Sequence, residues 1–128
     1  MSRVYLLCAD QPLPPSQSPA RQNVPYGEVV CFSVRPLQYY RAAVEDLGFS
    51  MKPCRYELDL RATAQDAAAL RDYLMQTCAA GQQVELWQLW VGDVGGRAFH
   101  LAGRLADLDM DTLKQLDERE QTCIILTL

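Results

Sequence analysis

Histidine occurs once in this chain, at His100, and lysine only twice, at Lys52 and Lys114. No C-x-x-C pair exists among the five cysteines, Cys8, Cys31, Cys54, Cys78 and Cys123. A zinc knuckle or a thioredoxin-like dithiol therefore has no ligand pair to start from. The odd count, the wide spacing and the absence of a secretion signal argue against a disulfide framework. No apolar run approaches the roughly 20 residues that a spanning helix needs. The opening "MSRVYLLCADQPLPP" has too short an apolar run for a signal-peptide core and no A-x-A cleavage site. The expected compartment is the cytoplasm, and most of the cysteines sit among apolar neighbours, where a free Cys acts as a small hydrophobe. No basic patch is visible: ten arginines are scattered and the net charge is −4. That balance speaks against nucleic acid and allows a basic protein partner.

What is present fits one globular domain. The chain has 128 residues, 49% of them hydrophobic and 22% charged. That is enough for a single core. "RVYLLCA" from Arg3 is apolar on both parities and reads as a strand buried on both faces. Residues 10–28 carry five of the seven prolines and are expected to form an irregular surface loop. "VVCFSV" from Val29 is a second two-sided strand. "PLQYYRAAVEDLG" switches to helical spacing, with Leu37, Tyr40, Val44 and Leu47 on one side. Pro36 suits its first turn and Gly48 its end.

From Arg55 the periods alternate. "YELDLRA" sets Tyr56, Leu58 and Leu60 against Glu57, Asp59 and Arg61, a strand with one buried and one open face. "TAQDAAALRDYLMQTCAAG" is the clearest helix, with a cap-like Thr63 and Asp66, a stripe of Ala67, Leu70, Leu74 and Cys78, and a stop at Gly81. "VELWQLWV" is a strand. "GDVGG" reads as a hairpin turn leading into "AFHLAGRL", where Phe99, Leu101, Gly103 and Leu105 face in and His100, Ala102 and Arg104 face out. "DMDTLKQLDE" is a short helix capped by Asp109, and "TCIILTL" is a last two-sided strand. The expected fold class is α+β. A ferredoxin-like split βαβ core over residues 55–128 is extended by an N-terminal ββα segment over residues 1–54. That topology would put "YELDLRA" and "AFHLAGRL" side by side in the centre, with apolar flanks on a face the helices leave bare.

Four patterns are candidates for chemistry. Neighbouring central strands would bring Glu57, Asp59 and Arg61 beside His100 and Arg104. A carboxylate beside the only imidazole could make a general base. The competing reading is a ladder of cross-strand ion pairs. Asp107, Asp109, Asp111 and Glu118 fall at calcium-loop spacing, but Thr112 stands where glycine is demanded, and a helix N-terminus explains the acids equally well. "GDVGG" leads into a strand without a Lys-Ser/Thr, so it is no phosphate loop. Cys8 near His100 would make a nucleophile pair, though nothing in the spacing joins them.

Trp87 and Trp90 lie three apart on one strand, so without a bulge they point to opposite faces. One is expected under the helices. The other is expected at a covered surface, beneath the N-terminal half or at a homodimer contact. The functional reading is a small non-catalytic module that binds a protein or small-molecule ligand, without a cofactor or metal. Trp87, Trp90, Glu57, Asp59, His100 and Arg104 are its candidate binding residues. Two alternatives stand beside it. One is an acidic inhibitor or immunity-type protein that blocks a basic toxin or enzyme. The other is an enzyme using His100 with Glu57 or Asp59.

Overall fold

The strands through Leu6, Leu86 and Ile124 are apolar on both parities, and a strand of that kind is stable only where both faces are covered. The computed structural model, which describes residues 2–17, 32–92 and 97–128, puts all three in the interior of one mixed sheet. The strands are β1 (Ser2–Ala9), β2 (Ser16–Gln17), β3 (Ser33–Pro36), β4 (Cys54–Asp59), β5 (Gln83–Val91), β6 (Phe99–Arg104) and β7 (Thr122–Thr127). Their order across the sheet is β2-β3-β4-β1-β5-β7-β6. Neighbours are antiparallel except β6 and β7, which are parallel.

Helices α2 (Ala64–Thr77) and α3 (Met110–Asp117) cover one face. Beneath them lie Leu7 and Ala9 of β1, Leu58 of β4, Val84 and Leu86 of β5, and Ile124 and Leu126 of β7. The opposite parity of the same strands forms a second core from Val4, Leu6, Cys8, Trp87, Leu89, Val91 and Cys123. Its cover is the short helix α1 (Arg41–Asp46) with the segments on either side of it, which contribute Leu37, Val44, Tyr40, Leu47, Phe49 and Met51. Among the described residues, no helix is long and apolar enough to cross a membrane.

The helix ends follow the sequence closely. The Thr63 hydroxyl accepts from the Asp66 N–H at 3.1 Å, and the buried Asp66 carboxylate reaches back to the Arg61 N–H at 2.7 Å. Asp66 thus ties the first turn of α2 to the chain entering it, at the Arg61 N–H rather than at the N-cap N–H that a capping box would use. Asp109 accepts from the Thr112 N–H at 3.0 Å, while the Thr112 hydroxyl accepts from the Asp109 N–H at 3.4 Å. The carboxylate at the centre of the calcium-like spacing is therefore engaged as a helix cap. Gly48 takes φ of 73° just past the end of α1, where a left-handed residue stops a helix. Helix α2 instead ends at Thr77 with an extended Cys78 as cap, and the left-handed Gly81, φ 82°, shapes the turn into β5 rather than the helix stop expected of it.

The α+β class is as expected, but the ferredoxin-like strand order is not what the chain adopts. β4, α2 and β5 do form a split βαβ unit, with the N-terminal strand β1 filling the split rather than β6. β6, the 3₁₀ turn Leu105–Asp107, α3 and β7 form an unsplit unit with adjacent parallel strands. The reason lies in the side chains. β1, β5 and β7 carry large apolar residues on both parities and gain most from central positions. β6 offers only Phe99 and Leu101 to the core and goes to the edge. β5 and β6 consequently do not pair as a hairpin; β7 lies between them.

Three smaller expectations also change. Pro36 ends β3 opposite Tyr56 instead of opening a helix, so α1 starts only at Arg41. Glu57, expected on a wet face, is 8% exposed, because that face has a cover. Ser16 and Gln17, within the proline-rich loop, pair with Val34 and Ser33 as an edge strand, a position that tolerates flanking prolines. The rest of that loop from residue 18, the start of "VVCFSV", Cys31 and the glycines of "GDVGG" beyond Gly92 lie outside the described residues.

Candidate functional site

The carboxylates of β4 and the imidazole of β6 are not brought together. β1, β5 and β7 separate their strands. Four inter-strand steps of about 4.8 Å put them roughly 19 Å apart. Glu57 and Asp59 instead share Arg35 of β3, which reaches Glu57 Oε1 at 3.3 Å and Asp59 Oδ2 at 2.6 Å. Asp59 also accepts from the Ser33 hydroxyl at 2.8 Å. This is the ion-pair ladder that competed with the catalytic reading, built across a different pair of strands. Arg35 went unnoticed in the sequence because β3 was not recognised as a neighbour of β4.

The tryptophans do point to opposite faces, in a continuous register without a bulge. Trp87, 1% exposed, lies under the N-terminal half. It stacks on Phe49 with ring centroids 5.8 Å apart, meets the His100 ring edge-on at 5.7 Å, and donates Nε1–H to Glu85 at 3.3 Å. Trp90 is on the helix-covered side but at its end, half-buried, with the Arg3 guanidinium 6.0 Å from its ring. Arg3 also lies over Tyr5, whose hydroxyl donates to Asp117 at 2.5 Å. Burial and that carboxylate push the Tyr5 phenol well above its ordinary range. The bare sheet face that called for a second copy does not exist: α1 and its flanks occupy it.

Neither Cys8 nor Cys123 is an activated thiol. Cys8 and Cys123 are buried in the second core. Burial raises both thiols, that of Cys123 up to about 12, and Glu85 adds to the effect. A thiol held protonated is no nucleophile at neutral pH. Cys8 lies on β1 and His100 on β6, with β5 and β7 between. Among the described residues, no group of three His, Cys, Asp or Glu side chains converges to hold a metal.

Two surface features remain. An apolar pocket of about 210 Å³ is lined by Met75, Cys78, Ala80, Leu105, Ala106 and Leu128. It falls below the ~300 Å³ at which small-molecule sites usually begin. The other feature is the outer edge of β6. The Phe99 N–H bonds to the Gln121 carbonyl at 2.7 Å, so Phe99 directs its backbone towards β7. In a parallel ladder this orientation alternates. The N–H and C=O groups of His100, Ala102 and Arg104 therefore point away from the sheet. All three residues are exposed, as are Arg97 before the strand and Arg119, whose guanidinium lies 4.2 Å from the Phe99 ring centre. No family model, curated protein or solved structure matches this chain.

Proposed function

We propose that this protein is a non-catalytic binding module that engages an extended segment of a partner protein along the edge of β6. The observation that carries the reading is the row of outward backbone groups at His100, Ala102 and Arg104, in a sheet whose two faces are already covered. Among the described residues nothing pairs with that edge, and an unpaired edge is a template for one more strand. Natural sheets usually blunt such an edge with proline, a bulge or a cover. β6 has no proline and keeps its register with β7 from Phe99 to Arg104. Strand addition draws affinity from main-chain hydrogen bonds and specificity from alternate side chains. The separation of His100 from Glu57 and Asp59 weighs against the enzymatic alternative.

We place the protein in a reducing compartment such as the cytoplasm. Cys54 and Cys78 are half-exposed free thiols, a state that oxidising surroundings do not preserve.

The test is Ala102→Pro against an array of immobilised extended peptides. Proline is tolerated where an edge residue's N–H faces solvent, so the variant should fold. Its lost donor and added ring should abolish retention of peptides that the unmodified protein holds. Peptides retained equally by both proteins would refute the reading.

A further inference from the structure

Resting on that reading, we infer that the strand accepted by β6 belongs to an acidic extended segment. The strand and the residues leading into it carry only basic side chains among their charged groups: Arg97, His100 and Arg104 are exposed, and the exposed Arg119 lies over the Phe99 ring. Among the described residues, none of the four forms an ion pair. No acidic residue occurs between Arg97 and Ala106. Among the described residues, Glu118 and Glu120 flank Arg119 in the turn before β7, and Asp107 follows the strand. Within residues 97–106 two arginines stand without an acid, in a chain whose net charge is −4.

The placement of the side chains matters as much as their number. Side chains of a pair of strands meet their counterparts on the same face. An added strand would therefore meet His100 and Arg104 on the Trp87 face. On the helix face it would meet Phe99, Leu101 and the bare backbone of Gly103. A segment alternating acidic and apolar residues satisfies both sides at once: carboxylates against His100 and Arg104, apolar side chains against Phe99 and Leu101. Gly103 leaves open space where a Cβ would stand. The occupant of highest complementarity is therefore an alternating acidic and apolar strand. A second copy of this chain would bring another strip of the same sign against the first, which disfavours self-pairing.

Three capped peptides test this by NMR titration of the ¹⁵N-labelled protein: alternating valine and glutamate, valine and lysine, and valine and serine. The glutamate peptide should shift the amides of residues 98–104 and bind at least about tenfold more tightly than the lysine peptide. The exposed variant Arg104→Glu should reverse that order. Charge-independent binding of all three along β6 would overturn the acidic inference and leave the edge reading standing. Perturbation away from β6, or none with any peptide, would overturn both. Self-association through β6, seen as a concentration-dependent sedimentation mass that Arg104→Glu does not weaken, would also overturn the acidic partner.

Discussion

Replacing Trp87 by alanine should be the most damaging single change in the second core. The indole is 1% exposed and is gripped from several directions. Phe49 stacks on it at an interplanar angle of 17°, and Leu89, Val91 and Cys123 share its cluster. Truncation removes the transfer free energy of the ring and leaves a cavity. The expected cost is about 3–5 kcal/mol. The lost Nε1–H bond adds little, because Glu85 still accepts from the Lys52 N–H at 2.8 Å. Domains of this size have about 5–15 kcal/mol in total, so the variant should sit near the edge of folding. Trp87→Phe keeps the stacking and should lose only part of the stability. Trp90→Ala should cost clearly less than Trp87→Ala, since Trp90 is half-buried and touches Arg3 at the rim. Urea unfolding followed by far-ultraviolet circular dichroism reads all three. The reasoning fails if Trp90→Ala costs more than Trp87→Ala, or if Trp87→Ala costs less than about 1 kcal/mol.

Other substitutions probe separate parts of the account. Arg35→Ala should destabilise by about 1–2 kcal/mol in urea titrations, because it leaves the largely buried Glu57 carboxylate without its cation. Thr63→Ala should cost about 1 kcal/mol through the lost cap of α2. Asp109 should titrate below the ordinary carboxylate range, because the Thr112 N–H and hydroxyl stabilise its charged form. The stability this lends is complete above the unfolded-state carboxylate range and is lost as pH falls through the lower folded value. Carbon-detected NMR would show the carboxyl moving back up in Thr112→Val. Iodoacetamide at mildly alkaline pH should modify Cys54 and Cys78 in the native protein, and Cys8 and Cys123 only after denaturant is added.

The elements themselves were legible because their physics is local. Thr63 and Asp109 mark helix starts by the side-chain oxygens that cap free N–H groups, and Gly48 marks a stop, whereas α2 ends at Thr77, short of Gly81. The opposed tryptophans follow from the two-residue strand period alone. Strand order was the part misjudged. The information was present in β1, β5 and β7, whose two-sided apolar character demands central places. A familiar succession of elements suggested a different arrangement and displaced that argument. The error carried straight into the proposed cluster of Glu57, Asp59 and His100, which needed β4 beside β6. The ion pairs of Arg35 and the edge position of β6 emerge only from pairings between residues distant in sequence, which no local spacing encodes.

Amide hydrogen exchange along β6 in the free protein tests the open edge most directly. Alternation is expected: slow exchange at Leu101 and Gly103, which face β7 with Phe99, and fast exchange at His100, Ala102 and Arg104, which face solvent. Uniform protection from Phe99 to Arg104 would mean that the outer edge is already paired, and would contradict the proposal that it awaits a partner strand.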